Sequence, residues 1–315
     1  MKKSTNSLPL QISGIALALW ALAFQAQAQA ADQCNTVLVD AQPRVVASGF
    51  QYTEGPAWDP RHNRFVFSDI PANTVFGVTL DGKVAPVLKP SGYANGNAFD
   101  AAGNLWSARH DRKIGKTDAG GSTTVALELV DGKKLNSPND LVVAGDGSVL
   151  FTDPPYGIQG YGPQRAAEEQ PVRGVYRFKD GHATLLTGEL TLPNGLAFSP
   201  DERLLYVGDT ADGTVYRFKV GSDGQLTGKL AFAKIEPAPG QEPMVDGLKV
   251  DRDGNLWMAG PESLGVFSAE GVMLCKVDMP GHHLSNLAFG GKDGRDLLIT
   301  YSDKVLALRS RVAGR

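Results

Sequence analysis

Six times along this 315-residue chain, a polar, oxygen-bearing residue stands just before a short apolar run. Each run then meets a turn and a second, more aromatic run. The copies begin at Glu54, Asn95, Asn139, Asn194, Asp246 and Asn286. Most copies continue into two further alternating runs joined by Asp-Gly or a nearby Gly turn, which is a β-hairpin signal. Each unit therefore offers four short strands. Sustained three-four spacing of apolar residues is missing throughout, so helices are not expected. Four strands repeated six times, at roughly 40–55 residues per unit, predict an all-β, six-bladed β-propeller with four-stranded blades. A β-sandwich does not explain the regular repetition.

The sixth unit is one strand short. The segment from Arg44 to Tyr52, which precedes the first unit, supplies a strand to complete it, so the ring is expected to be closed by an N-terminal strand. That closure carries the N-terminus toward the outermost strand of the fifth unit, which holds Cys275. Only one other cysteine exists, Cys34. A Cys34–Cys275 disulfide is expected on this topology, with two buried free thiols as the competing reading.

The first residues read as a targeting segment. Lys2 and Lys3 precede an apolar stretch from Ile12 to Phe24, and small residues from Ala26 to Ala31 follow at signal-peptidase spacing. Residues 1–30 are expected to be a secretory signal peptide and residues 31–315 a single propeller domain. The protein is expected to be exported, periplasmic or secreted, with no membrane association after cleavage. With 37 Gly and 19 Pro the composition is turn-rich, and the net charge of −3 gives no basic footprint for nucleic acid. Two Pro- and Gly-rich insertions, from Asp153 to Pro171 and from Glu236 to Met244, read as surface loops of the kind that carry binding groups.

In a propeller the innermost strand of each blade runs along a central channel. Residues at one repeat position form a ring there. Glu54, Asn95, Asn139, Asn194, Asp246 and Asn286 are therefore expected to face the axis at one level. Asn and Asp are also common turn residues. Glu54 is a poor turn mimic, and six such residues at one position favour a shared site. Two carboxylates and several amide oxygens make a hard-oxygen cage suited to Ca²⁺, with Mg²⁺ or Mn²⁺ as further choices. The absence of His and Cys from the ring argues against zinc.

The motifs Glu54-Gly-Pro-Ala-Trp58, Ser137-Pro-Asn-Asp140, Leu192-Pro-Asn-Gly195 and Asp246-Gly247 resemble the SMP-30/gluconolactonase family, over nearly the whole mature chain. The segment Phe151-Thr-Asp-Pro-Pro-Tyr-Gly157 is similar to its bacterial gluconolactonase branch. The resemblance implies a six-bladed propeller with a divalent metal in the channel, held by Glu54, Asn139, Asn194 and Asp246. Asn95 and Asn286 would be supporting or substrate-facing residues. One departure is Ser137, which stands where animal members carry Arg.

The activity so implied is metal-dependent hydrolysis of a small-molecule sugar lactone. The cage would polarise the lactone carbonyl for attack by water. Asp246 or Glu54 would be the catalytic general base, with Asp246 favoured by the resemblance. The Gly-x-Ser-x-Gly nucleophile motif does not occur. Arg109, His110, Tyr156 and His283 are further candidates for substrate contact, with His282 beside them. His62 and His182 read as surface residues. Phe67, Trp106, Phe151, Tyr206 and Trp257 are expected to pack between blades. Two other readings stay open: a different metal-dependent esterase or phosphoesterase on the same cage, and a non-catalytic ligand-binding propeller with structural calcium.

Overall fold

The computed structural model describes residues 34–315. The signal sequence read over residues 1–30 lies outside the described residues. Six four-stranded antiparallel sheets follow one another around a ring. Their innermost strands are Thr53–Asp59, Ala94–Phe99, Leu141–Val143, Pro193–Phe198, Leu248–Val250 and Leu284–Gly290. The first five blades each run outward in chain order. A two-residue ribbon, Leu129–Val130 with Lys133–Lys134, is added between the second and third blades.

The sixth blade takes its outermost strand from Leu38–Ser48, which pairs antiparallel with Lys304–Ser310. The strand begins before Arg44, so the N-terminal segment closes more of the ring than the pattern predicts. Pairing first and last elements removes an open edge at the seam. Cys34, just ahead of this strand, is disulfide-bonded to Cys275 in the outermost strand of the fifth blade, Met273–Asp278. The bridge joins the sixth blade's outer edge to its neighbour across 241 residues of sequence.

Local chemistry explains the hairpins. Between Val175–Lys179 and His182–Thr187 the two-residue turn is Asp180-Gly181, with φ of 49° and 81°. A turn that needs positive φ at both positions selects Asp or Asn followed by Gly. The blades pack face to face through apolar side chains. Leu150 and Val175 of the third blade meet Leu196 and Leu205 of the fourth. Phe67, Trp106, Phe151, Tyr206 and Trp257 are all buried, as their repeated second-strand position requires. Trp106 and Trp257 each donate their indole N–H to an aspartate, Asp100 and Asp251, at 2.9 Å.

The innermost strands break their register where the polar ring lies. Bulges fall between Glu54 and Ala57, Ala94 and Asn97, Pro193 and Leu196, and Leu284 and Asn286. A bulge re-aims a side chain out of the normal alternation. Here it frees the ring residues from blade packing and turns them to the axis.

Candidate active site

Two successive positions in or just before each inner strand approach the axis, and they do different work. The first holds Glu54, Asn95, Asn139, Asn194 and Asp246. The next holds Gly55, Gly96, Asp140, Gly195 and Gly247. Inter-blade hydrogen bonds fix this register. Gly96 N–H donates to the Asn139 carbonyl, Gly195 N–H to that of Asp246, and Gly247 N–H to that of Ser285. The sixth member of the first ring is therefore Ser285, and Asn286 belongs to the second ring with Asp140. This corrects the expectation that Asn286 faces the axis at the level of the other five residues. A shift of one residue along a strand turns a side chain elsewhere.

The first ring floors a cavity of about 130 Å³. Glu54, Asn95, Asn139, Asn194 and Asp246 all line it, as do His110, Tyr156 and His283. Its other walls come from Tyr52, Ile70, Tyr161, Thr210 and Met244. Arg109 is not among them. Its guanidinium folds back to pair with Asp111, Nε to Oδ1 at 3.0 Å, and lies against Gly92 and Gly115. Two carboxylate bonds within its own turn hold it away from the cavity.

The cavity oxygens are oriented from behind. His110 Nδ1 lies 3.0 Å from the Tyr161 carbonyl, which can only accept, so Nδ1 carries the proton. Nε2 then accepts from Asn95 Nδ2 at 3.1 Å, which turns Asn95 Oδ1 into the cavity. Burial pushes the His110 imidazole down to about 4, so it stays neutral. With both nitrogens committed, His110 orients Asn95 and is not free to shuttle a proton. Asn194 is set in the same way. Its Nδ2 donates to Thr210 Oγ1 at 3.1 Å, and Thr210 donates to the Val245 carbonyl at 2.7 Å. Asp246 Oδ2 accepts from His283 Nε2 at 2.8 Å.

Asn95 Oδ1, Asn194 Oδ1 and Asp246 Oδ1 are left buried without a protein hydrogen-bond partner, and so is the Tyr156 hydroxyl. Buried polar atoms are normally satisfied. Three lone oxygens lining one cavity, with Glu54 and Asn139 in the same lining, fit an oxygen-seeking divalent cation. The donor set mixes carboxylates with amides. Among the described residues, no group of three His, Cys, Asp or Glu side chains is gathered for a metal.

The electrostatics of the site are set by burial and by its crowded carboxylates. Burial, together with the negative charges of Asp246 and Asp140, pushes Glu54 well above the usual carboxylate range. Burial also raises Asp140, against the pull of the Lys249 ammonium. Burial lowers His283, but the hydrogen bond and charge of Asp246 more than offset it, leaving the imidazole raised. Burial is again the main cause at Tyr156, raised to about 12, so its hydroxyl remains a donor.

The insertion after Asp153 forms the roof. Gly157–Tyr161 makes a short helical turn kinked at Gly160, whose φ is 139°, a feature that the loop expectation did not contain. Gly157 is required there, since a Cβ would lie 2.7 Å from Ser137 Cβ and 2.8 Å from His110 Cβ. Ser137 anchors the turn by accepting from Gly157 N–H and donating to the Pro154 carbonyl. Tyr156, Tyr161, Tyr52 and His283 stand around the mouth, with Tyr52 and His283 rings 5.9 Å apart. Tyr52 and Tyr161 carry no repeat signature. Asp140 was visible in its motif, but its role at the second ring was not.

The sequence matches the SMP-30/Gluconolactonase/LRE-like region over residues 52–303. It is 36% identical over 292 residues to a gluconolactonase from Zymomonas mobilis, covering 86% of this chain and 82% of that one. The solved structure of a gluconolactonase from Xanthomonas campestris superposes with a TM-score of 0.80 at 36% identity, covering 90% of this chain and 92% of that chain. A calcium-binding protein, regucalcin, from Agrobacterium tumefaciens shares the fold, with a TM-score of 0.68 at 20% identity over 89% of this chain and 95% of that chain. By motif, fold and likeness, the chain belongs to the SMP-30/gluconolactonase/LRE-like family.

Proposed function

We propose that the protein hydrolyses the ester bond of a sugar lactone, with a divalent cation, calcium on its donor set, held by Glu54, Asn139, Asn194 and Asp246. The observation that carries this reading is the group of unpartnered oxygens beside the Asp246–His283 pair, inside a cavity walled by tyrosines. Its relatives include a gluconolactonase and a pentonolactonase, the latter 25% identical and from Haloferax volcanii. The cation, when bound, would polarise the lactone carbonyl and stabilise charge developing on its oxygen.

The remaining chemistry falls to the chain. Water must lose a proton as its oxygen bonds to the carbonyl carbon. Asp246 is the better placed base. Glu54 Oε2 is enclosed, accepting from Gly55 N–H and Asn286. Asp246 instead leans on His283, whose side chain is one-third exposed and offers the proton a route toward solvent. The ring C–O bond then breaks, and the leaving oxygen takes the proton held at Asp246, giving the open-chain acid. Asn95 Oδ1 and the Tyr156 hydroxyl present an acceptor and a donor to sugar hydroxyls. The tyrosine rim limits water and shields the charged groups.

Export fits this reading. A disulfide persists in oxidising compartments, and no described helix is long and apolar enough to cross a membrane. The test is a panel of aldonolactones assayed with a pH indicator, with and without chelator. Chelator-sensitive acid release is expected. Metal-dependent melting without any lactone hydrolysis would leave a binding propeller instead.

A further inference from the structure

The second ring of the channel is a built device. Of its six positions, four are glycine and only two, Asp140 and Asn286, carry side chains. Two of the glycines, Gly96 and Gly247, make room for those two side chains, while Gly55 and Gly195 lie against the backbone of the next blade. A Cβ on Gly96 would lie 2.4 Å from Asp140 Oδ1, and one on Gly247 would lie 2.1 Å from Asn286 Oδ1. Both side chains are buried. Lys249, two residues beyond Gly247, reaches them from the opposite mouth of the channel.

The Asn286 amide is held at both ends. Its Oδ1 accepts from Leu287 N–H at 2.8 Å and from Lys249 Nζ at 3.2 Å. Its Nδ2 must then face the other way, and it donates to Asp140 Oδ2 at 3.2 Å and Glu54 Oε2 at 3.3 Å. Glu54 Oε2 is occupied by this bond and by Gly55 N–H, which leaves Oε1 for the cavity. Two buried carboxylates thus share one amide group. Lys249 Nζ lies 4.0 Å from Asp140 Oδ2 and is the one cation among the described residues that an ion pair or hydrogen bond places on this cluster.

We propose that Lys249 is a positioning residue that fixes the Glu54 carboxylate through Asn286 and Asp140, so that the far mouth of the channel sets cation affinity at the near one. Without the ammonium, the amide oxygen keeps only the Leu287 N–H, its orientation loosens, and the weaker 3.3 Å bond to Glu54 gives way. This inference rests on the cation reading above.

Charge and positioning predict opposite signs, which makes the test sharp. By Coulomb's law alone, removing a lysine near a cation site tightens cation binding. By positioning, removing it weakens binding, and outer residues of a metal site typically matter by about 10–100-fold in affinity. Calcium chloride would be titrated calorimetrically into the full, metal-free chain. Lys249→Met and Asn286→Ala are each expected to weaken calcium by about tenfold or more. Lys249→Arg should restore affinity to within about threefold, since it returns a charged donor. The double variant should bind no more weakly than Asn286→Ala alone, because both act through one contact. Calcium affinity unchanged or tightened in Lys249→Met overturns the proposal. Asn286→Ala puts the same question from the other end if Lys249→Met does not fold. Wild-type protein that takes up no calcium removes the cation reading, and this role for Lys249 with it.

Discussion

The channel has two mouths, and they are opposites. The tyrosine-rimmed mouth holds the smaller cavity, about 130 Å³, and its buried oxygens lack partners. The far mouth holds a larger one, about 220 Å³, lined by Trp58, Phe99, Phe198 and Phe289. There the polar groups are matched. Lys249 is committed to Asn286 and the Leu248 carbonyl, and Arg315 pairs with Glu202 while its guanidinium lies over the Phe198 ring. Size alone favours the far mouth. Unsatisfied oxygen and perturbed carboxylates choose the other, since a site prepared for a cation or substrate must leave its donors unpaired until the ligand arrives.

Substitutions at the two mouths should separate chemistry from stability. The largest effect is expected at Asp246→Asn, which should cut kcat by about 10²–10⁴ while circular dichroism and melting report a retained fold. Wild-type turnover in that variant removes Asp246 as the base. At the far mouth, Phe198→Ala should cost about 3–5 kcal/mol of stability in denaturant melts. Its kcat/KM should stay within about twofold, because Phe198 packs between blades three and four and faces no reacting atom. A large loss of kcat/KM there would break the division between the mouths.

A smaller effect concerns the footing of the near mouth. Asp153 begins the roof insertion and is fully buried, with Oδ2 accepting from Asn136 N–H at 2.7 Å and Oδ1 unpartnered. Burial pushes its carboxyl up to about 7. The folded state therefore holds this proton more tightly than the unfolded chain, whose value is about 3.9. Its stabilising share is complete below that value and is lost as pH rises through about 7. The melting temperature of wild type, measured against Asp153→Asn, should fall between pH 5 and pH 8. A constant difference would sink this account of the roof. The smallest effect is expected at Tyr156→Phe, which deletes one unpaired donor. KM for a lactone should rise by about three- to tenfold with little change in kcat. An equal loss of kcat would instead mean that the hydroxyl acts in the transition state.

The architecture was legible because repetition reports it directly. Six polar-then-apolar copies gave the blade count, the missing strand gave the closure, and the closure gave Cys34 its partner at Cys275. Five channel residues at the near mouth, Glu54, Asn95, Asn139, Asn194 and Asp246, were legible for the same reason. The remainder depends on register and on neighbours far away in sequence. Asn286 reads as a ring residue only if the copies are aligned on any polar residue before the apolar run. Aligned on the Leu-Ala-Phe that follows Asn286 and Gly195 alike, it falls level with glycine, and Ser285 takes its place. Arg109 sits at the end of a second strand, near enough to be a candidate, but Asp111 two residues away captures it. Tyr52 comes from the segment before the first blade, and Tyr161 and Thr210 from the connections between second and third strands of blades three and four, where no periodic signal marks them. Lys249 occupies what looks like an ordinary strand position, and its reach under Asn286 exists only once the ring is closed.

Of the two mouths, the proposal makes the near one alone a cation site. Crystals grown with calcium and an aldonolactone, or its open acid, would test it most directly. One calcium ion bound by Glu54, Asn139, Asn194 and Asp246, with sugar oxygens against Asn95 and Tyr156, is the predicted result. Calcium at the far mouth, or lactone bound in the near cavity with calcium nowhere on those four residues, would contradict it.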